Sequence, residues 1–239
     1  HYSIKKWKNT ISGLNLNDHM IRVLMKNNSF LKFISLFFFF AILCAACTIP
    51  FYFESPSIYY KTGIDKIMLR TGKILGIITA VLLLFQPVFV GRFVKLDEIF
   101  TLKKLFQFHK TNGLVLLATA IVHPILILGA DHFVFFSFES RYWPEFIGIF
   151  LLILLTPFVA ISFFQKKLGL NYKTWKMLHK IIAPIILILM FIHVNNVSRS
   201  FESGLPFYLL CGAGLITIFL FVRKALSDQR QLFFSCNDN

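Results

Sequence analysis

The sequence predicts an all-α integral membrane protein, a six-transmembrane-helix bundle with both termini in the cytoplasm. Three observations carry that prediction. Mean hydropathy is +0.69, and 56% of the 239 residues are hydrophobic. Only 15% are charged, against about 25% in soluble domains. Six charge-free apolar runs divide the chain, and Lys and Arg collect in alternate connections between them.

The composition excludes disorder, a collagen-like chain and an ordinary soluble globule. A formal charge of +14 would suit nucleic acid. The basic residues alternate with long apolar runs instead of lining one face, so no nucleic-acid partner is expected. Four Cys, with no paired spacing in a polar region, give no disulfide framework. Residues 1–32 are polar and basic, unlike a signal peptide. The absence of an initiator Met suggests a piece of a longer chain.

The apolar runs cover residues 33–53, 74–91, 111–130, 146–165, 181–198 and 203–222. At 1.5 Å per residue each spans roughly the 30 Å hydrocarbon core. Helices satisfy every backbone amide within their own segment, which lipid demands. Pro87, Pro124, Pro157 and Pro184 fall in or near these runs and are expected as kinks. The expected organisation is a cytoplasmic segment 1–32, a six-helix domain 33–225 and a cytoplasmic tail 226–239.

Orientation follows from the cations. Residues before the first run, between runs two and three, between four and five, and in the tail hold nineteen of the 25 Lys and Arg. The other connections hold Lys61, Lys66, Arg70, Lys73, Arg141 and Arg199. The positive-inside rule then places both termini in the cytoplasm of a multi-pass cell-membrane protein. Trp143 and Trp175 lie at run edges, where interfacial aromatics are expected.

Polar residues at membrane depth are functional suspects. The third run begins at FHKTNG with His109 and continues to His123 in IVHPIL. The fifth begins at LHKIIA with His179 and continues to His193 in FIHVNN. Both spacings are 14 residues. That is nearly four helical turns, so each helix carries two His within about 40° of one face and about 21 Å apart. Runs three and five cross in the same direction. His109 is therefore level with His179, and His123 with His193.

A stacked pair of imidazoles at each end suits haem iron, which takes two axial nitrogens and brings an apolar macrocycle that a helix bundle can enclose. Zinc wants four ligands, and no Cys or acidic residue stands near either pair in the sequence. A lone His in a span more often hydrogen-bonds a neighbouring helix; four at equal spacing on two helices are poorly explained that way. Haem propionates seek basic partners. Lys110 and Lys180 directly follow the inner His residues, with Lys103, Lys104 and Lys176 nearby, while Arg70 and Arg199 stand near the outer ends. For most of the lysines, setting topology is the simpler role. Arg70 stands out because few cations surround it.

Three strings resemble the ferric reductase-like transmembrane domain shared by ferric reductases and NADPH oxidases. They are MLRTGKILG with LLLFQPVFVGR, FQFHKTNGLVLLATAIVHP, and WKMLHKIIAPIILILMFIHV, and the resemblance covers roughly residues 65 to 225. It implies a six-helix oxidoreductase with two b-type haems, the inner held by His109 and His179 and the outer by His123 and His193. It implies electrons from cytoplasmic NAD(P)H through FAD, in a missing domain or partner chain, to an outside acceptor such as ferric iron or oxygen. Arg70 matches the family's outer arginine and is the expected catalytic cation. Oxygen-reducing members carry a further His one turn beyond the outer ligand of span three, where this chain has Ile127. The residues after the last run, ending QLFFSCNDN, are too few for a flavin domain.

Two rivals stand beside this. A haem-binding membrane subunit resembling the partner of periplasmic methionine sulfoxide reductase typically lacks a His at the site of His109. A transporter or proton channel predicts acidic residues or broken helices at the midplane, and none of the six runs contains Asp or Glu. Cys44 and Cys47 form a C-x-x-C inside run one, where lipid disfavours a thiolate and packing is the simpler role. Phe at positions 37–40 reads as lipid-facing bulk, and His132 beside Asp131 as a solvated loop residue. Cys211, Cys236, His1 and His19 carry no signal.

Overall fold

The computed structural model describes the backbone of residues 18–54, 56–91, 93–134 and 139–237, with most side chains between 29 and 223. Lys5, Lys6, Lys8, His1 and Arg92 lie outside the described residues, as do the side chains of Arg22, Lys26, Lys224, Arg230, Cys236 and His19. Seven α-helices follow in order: α1 (Asp18–Tyr52), α2 (Gly63–Val90), α3 (Val94–Ile99), α4 (Leu102–Gly129), α5 (Trp143–Phe164), α6 (Tyr172–Val197) and α7 (Gly204–Asn237). Short 3-10 turns at Pro56–Ile58, Ser140–Tyr142 and Arg199–Phe201 join them at one end.

Six of the helices are long and apolar enough to cross a membrane, and they contain the six apolar runs. Their starts differ from the sequence boundaries. α2 begins at Gly63 rather than 74, α4 at Leu102 rather than 111, and α6 at Tyr172 rather than 181. Charges end an apolar run but do not end a helix, because the helix continues into the interfacial region where Lys, Arg, Asp and Glu meet water. The same extension puts Asp65 in the first turn of α2 and Glu145 in the first turn of α5, where acids favour the helix dipole. The spans therefore do carry acidic residues, at their ends. Pro87, Pro124, Pro157 and Pro184 all sit inside helices.

The bundle is built from two antiparallel pairs, α2 on α4 and α5 on α6. Hydrogen bonds along the first pair run in register. Asn112 Nδ2 donates to the Leu82 carbonyl at 2.9 Å, and the Thr79 and Thr119 hydroxyls meet at 2.8 Å. Small residues let these backbones approach closely: Gly72 and Gly76 form a G-x-x-x-G, and a Cβ on Gly72 would stand 2.9 Å from Ile127. Between the pairs lies the main apolar core, with Ala80, Leu82, Leu83, Leu116, Leu155, Ile186, Leu187 and Met190 buried in one cluster.

α1 lies outside this core. Phe37, Phe38 and Phe40 are exposed as expected of lipid-facing bulk, whereas Phe39 turns inward and packs edge-on against Phe85 with centroids 4.8 Å apart. Cys44 and Cys47 are free, as is Cys211. A second, smaller cluster of Ile58, Leu69 and Ala130, flanked by Met68 and Ile127, closes the end near the Pro56–Ile58 turn. Ser200 Oγ donates to the Phe53 carbonyl there at 2.6 Å, and Lys61 bridges the Ala130 carbonyl and Asp131.

Candidate functional site

The four histidines fall on α4 and α6 as two pairs. The first comprises His109 and His179, whose ring centroids are 6.1 Å apart with planes inclined at 62°. α4 and α6 make no extensive backbone contact with each other, so the rings reach across a space between the helices. Phe158 stacks on His179 at 4.7 Å, and Trp175 packs beside it at 5.2 Å. Ser162 Oγ sits 3.4 Å from His179 Nδ1 and accepts from Trp175 Nε1 at 3.3 Å. His109 Nδ1 is buried facing the Gln86 backbone, and Gln86 Oε1 is buried without a hydrogen-bond partner among the described residues.

Each member of the second pair is oriented by the helix beside it. His123 Nδ1 meets the Gly72 carbonyl at 2.7 Å, and His193 Nδ1 meets the Pro144 carbonyl at 3.0 Å. A carbonyl only accepts, so Nδ1 carries the hydrogen in both rings and the Nε2 lone pair is left for another partner. Four residues beyond each carbonyl stands a glycine that makes room for the ring. A Cβ on Gly76 would lie 2.8 Å from His123 Cε1, and one on Gly148 would lie 2.5 Å from His193 Cε1. The same device, a carbonyl one turn before a glycine, thus appears on α2 and on α5. It sets tautomer and ring orientation, as outer-sphere partners of metal-binding imidazoles do.

Leu116 and Ile186 occupy the middle. Each lies seven residues from both His of its own helix, and each is only 1% exposed. An apolar layer therefore separates the two pairs.

These residues fit a group that takes two imidazole nitrogens from opposite sides. Two such nitrogens, each about 2 Å from a shared metal, put ring centroids about 6 Å apart, close to the 6.1 Å of the first pair. The exposed-lone-pair tautomers of the second pair and the glycine cradles agree with that use. Among the described residues no three His, Cys, Asp or Glu come together as a metal site. A closed zinc centre of four protein ligands is not built here.

The basic residues are placed less uniformly. Lys110 and Lys180 are exposed directly beyond the first pair, and Arg199 is exposed in its 3-10 turn. Arg70 lies on the side of α2 facing α1, away from Gly72 and Gly76. It ion-pairs with Glu54, its guanidinium is 4.9 Å above the Phe51 ring, and it lines a cavity of about 230 Å³ with Phe51, Lys66, Ile67 and Ile74. His132 is 77% exposed, with Asp65 3.4 Å away.

Sequence reasoning passed over the residues that shape the pairs. Trp175 is a wall of the first pair as well as an edge aromatic. Gly76 and Gly148 are lone glycines inside apolar runs, a signal of close backbone approach that was available. Ser162, Phe158 and Glu145 come from a helix whose register against α6 no single-sequence pattern fixes.

Residues 75–190 match the model of a family described as the ferric reductase like transmembrane component. That stretch contains His109, His123 and His179 and both orienting glycines, and His193 lies three residues beyond it. Comparison with curated proteins and with solved structures gives no match.

Proposed function

We propose, from the premise that residues 75–190 are a ferric reductase-like transmembrane domain, that this chain carries electrons across a membrane through two b-type haems. His109 and His179 would hold the inner haem, and His123 and His193 the outer. Electrons would come from a flavin and NAD(P)H domain or subunit in the cytoplasm and leave to ferric iron or oxygen outside. The bound haems supply one-electron exchange between ferric and ferrous iron.

The observation that supports this reading best is the repeat of the His pair at 14-residue spacing on two facing helices, with the second pair's Nδ1 atoms committed to backbone carbonyls. That commitment frees Nε2 in each ring and removes the rotational freedom a ligand would otherwise lose on binding. Leu116 and Ile186 put an apolar layer between the two sites. Lys110 would face acidic groups of the inner cofactor or of the donor, and Arg199 would bring positive charge to the outer end, where Arg70 is already paired with Glu54. Outward electron movement from a negative interior is favoured by about 2.3 kcal/mol per 100 mV.

The test is haem content with reduced-minus-oxidised spectra on the purified full-length protein. Two b-type haems per chain are expected. His109→Ala and His179→Ala should lose one and the same component, and His123→Ala and His193→Ala the other. A preparation without haem bands overturns the proposal. Ferric-chelate and superoxide assays with the electron donor supplied then separate the acceptors.

A further inference from the structure

Glu145 stands in the first turn of α5, between Pro144, whose carbonyl holds His193 Nδ1, and Gly148, whose bare face admits the His193 ring. Gly148 follows Glu145 by three positions, so both lie on one face of the helix. The Glu145 carboxylate is close enough to His193 to interact with it electrostatically. Its Oε2 is buried and has no hydrogen-bond partner among the described residues.

Three other acids at this end are matched by cations. Glu54 pairs with Arg70, Asp131 with Lys61 and Glu139 with Arg141. No ion pair of that kind involves Glu145 among the described residues. A buried carboxylate oxygen without a partner is costly, and the cost falls when a positive charge is placed beside it. Among the described residues no acid stands beside the first pair, whose close neighbours are Phe158, Ser162, Trp175, the Gln86 backbone and Lys110. The second pair therefore has a carboxylate beside it where the first has the Lys110 ammonium.

We infer that Glu145 lowers the reduction potential of the outer site, acting through His193 rather than on the acceptor. The inference rests on the haem reading above. The oxidised centre carries one more positive charge than the reduced one. A fixed negative charge in a low-dielectric setting therefore stabilises the oxidised form, more strongly than it would in water. The centre is thereby made the stronger donor to whatever waits outside.

The simpler role for Glu145 is structural, an acid at the third position of a helix that has no side-chain N-cap. Gln serves that role as well as Glu does, so Glu145→Gln separates charge from capping. The experiment is a potentiometric titration of the full-length protein, followed in the reduced-minus-oxidised bands, with the outer component identified as the one missing from His123→Ala. In Glu145→Gln the outer component should be at least tenfold more reduced at a given applied potential, which for one electron is a rise of 59 mV. The inner component should stay in place. Glu145→Asp should stay near wild type, and Glu139→Gln should move neither component. Glu145→Gln with both components at their wild-type positions, or with only the inner one displaced, overturns the inference while leaving the haem reading intact. Wild-type protein without haem overturns both.

Discussion

Substituting Gly148 by Ala tests the glycine cradle most directly. The added Cβ would stand 2.5 Å from His193 Cε1, 2.9 Å from Nδ1 and 3.1 Å from Nε2, so it meets the whole edge of the ring. Ordinary contact begins near 3.4 Å, which requires the imidazole to retreat by about 0.9 Å. The Nδ1 contact with the Pro144 carbonyl, now 3.0 Å, would then open to about 3.9 Å, beyond hydrogen-bond range. Overpacking of this kind costs about 1–3 kcal/mol, and losing an orienting partner of a metal ligand typically costs about 10–100-fold in affinity. Helix propensity moves the other way, since Ala is preferred to Gly by about 1 kcal/mol. The variant should therefore stay folded and lose the outer haem. Gly76→Ala should do the same more mildly, because its Cβ would lie 2.8 Å from His123 Cε1 and needs a retreat of only about 0.6 Å. Gly113→Ala meets nothing closer than 3.7 Å, and Gly212→Ala meets nothing within 4 Å, so both serve as controls. Haem per chain, spectra and thermal unfolding read the outcome. A Gly148→Ala protein with two haems and an unaltered spectrum would refute the cradle and the ligand role of His193 together.

Leu116→Ala and Ile186→Ala should each lower stability by about 2–5 kcal/mol through the cavity they leave, seen as a lower unfolding temperature with both haem bands retained, because both side chains are 1% exposed and touch neither ligand's orienting carbonyl. Replacing Asn112, which ties α4 to the Leu82 carbonyl, by Leu should cost about 1 kcal/mol, the usual range for an interhelical bond in lipid, and leave haem content at two per chain. Orientation is checked by thiol labelling of intact cells in a background without native Cys: an impermeant reagent should reach Tyr60→Cys, at an 86% exposed position, and should miss Lys167→Cys.

What the sequence made legible follows from which forces act locally. Apolar runs report burial in lipid directly, so six spans could be counted, and an equal His spacing on two of them needs only the helical repeat to become two levels. The starts of α2, α4 and α6 were hidden because Lys66, Arg70, Lys103, Lys173 and Lys176 interrupt the runs without interrupting the backbone. The groups that orient the imidazoles were hidden for another reason. That His123 would seek the Gly72 carbonyl and His193 that of Pro144 depends on how α2 lies on α4 and α5 on α6, and helix–helix register is set by tertiary packing. Arg70 shows the same limit: its position in the chain places it near the outer end, but the rotation of α2 commits its side chain to Glu54 and Phe51.

The two halves of the bundle solve one problem in the same way. A helix that must offer an imidazole to a partner across a gap cannot also clamp that imidazole from its own backbone, whose carbonyls are used by the helix. The clamp therefore comes from the neighbour, α2 for α4 and α5 for α6, and each neighbour supplies an accepting carbonyl and, four residues on, a glycine without a side chain in the way. The carbonyls of Gly72 and Pro144 already accept within their own helices, and an oxygen with two lone pairs can accept again. Close packing within each pair then fixes His123 and His193, while the looser approach of α4 to α6 leaves room between them. Rigidity within pairs and space between pairs are separate requirements, and the division into α2–α4 and α5–α6 lets one bundle meet both.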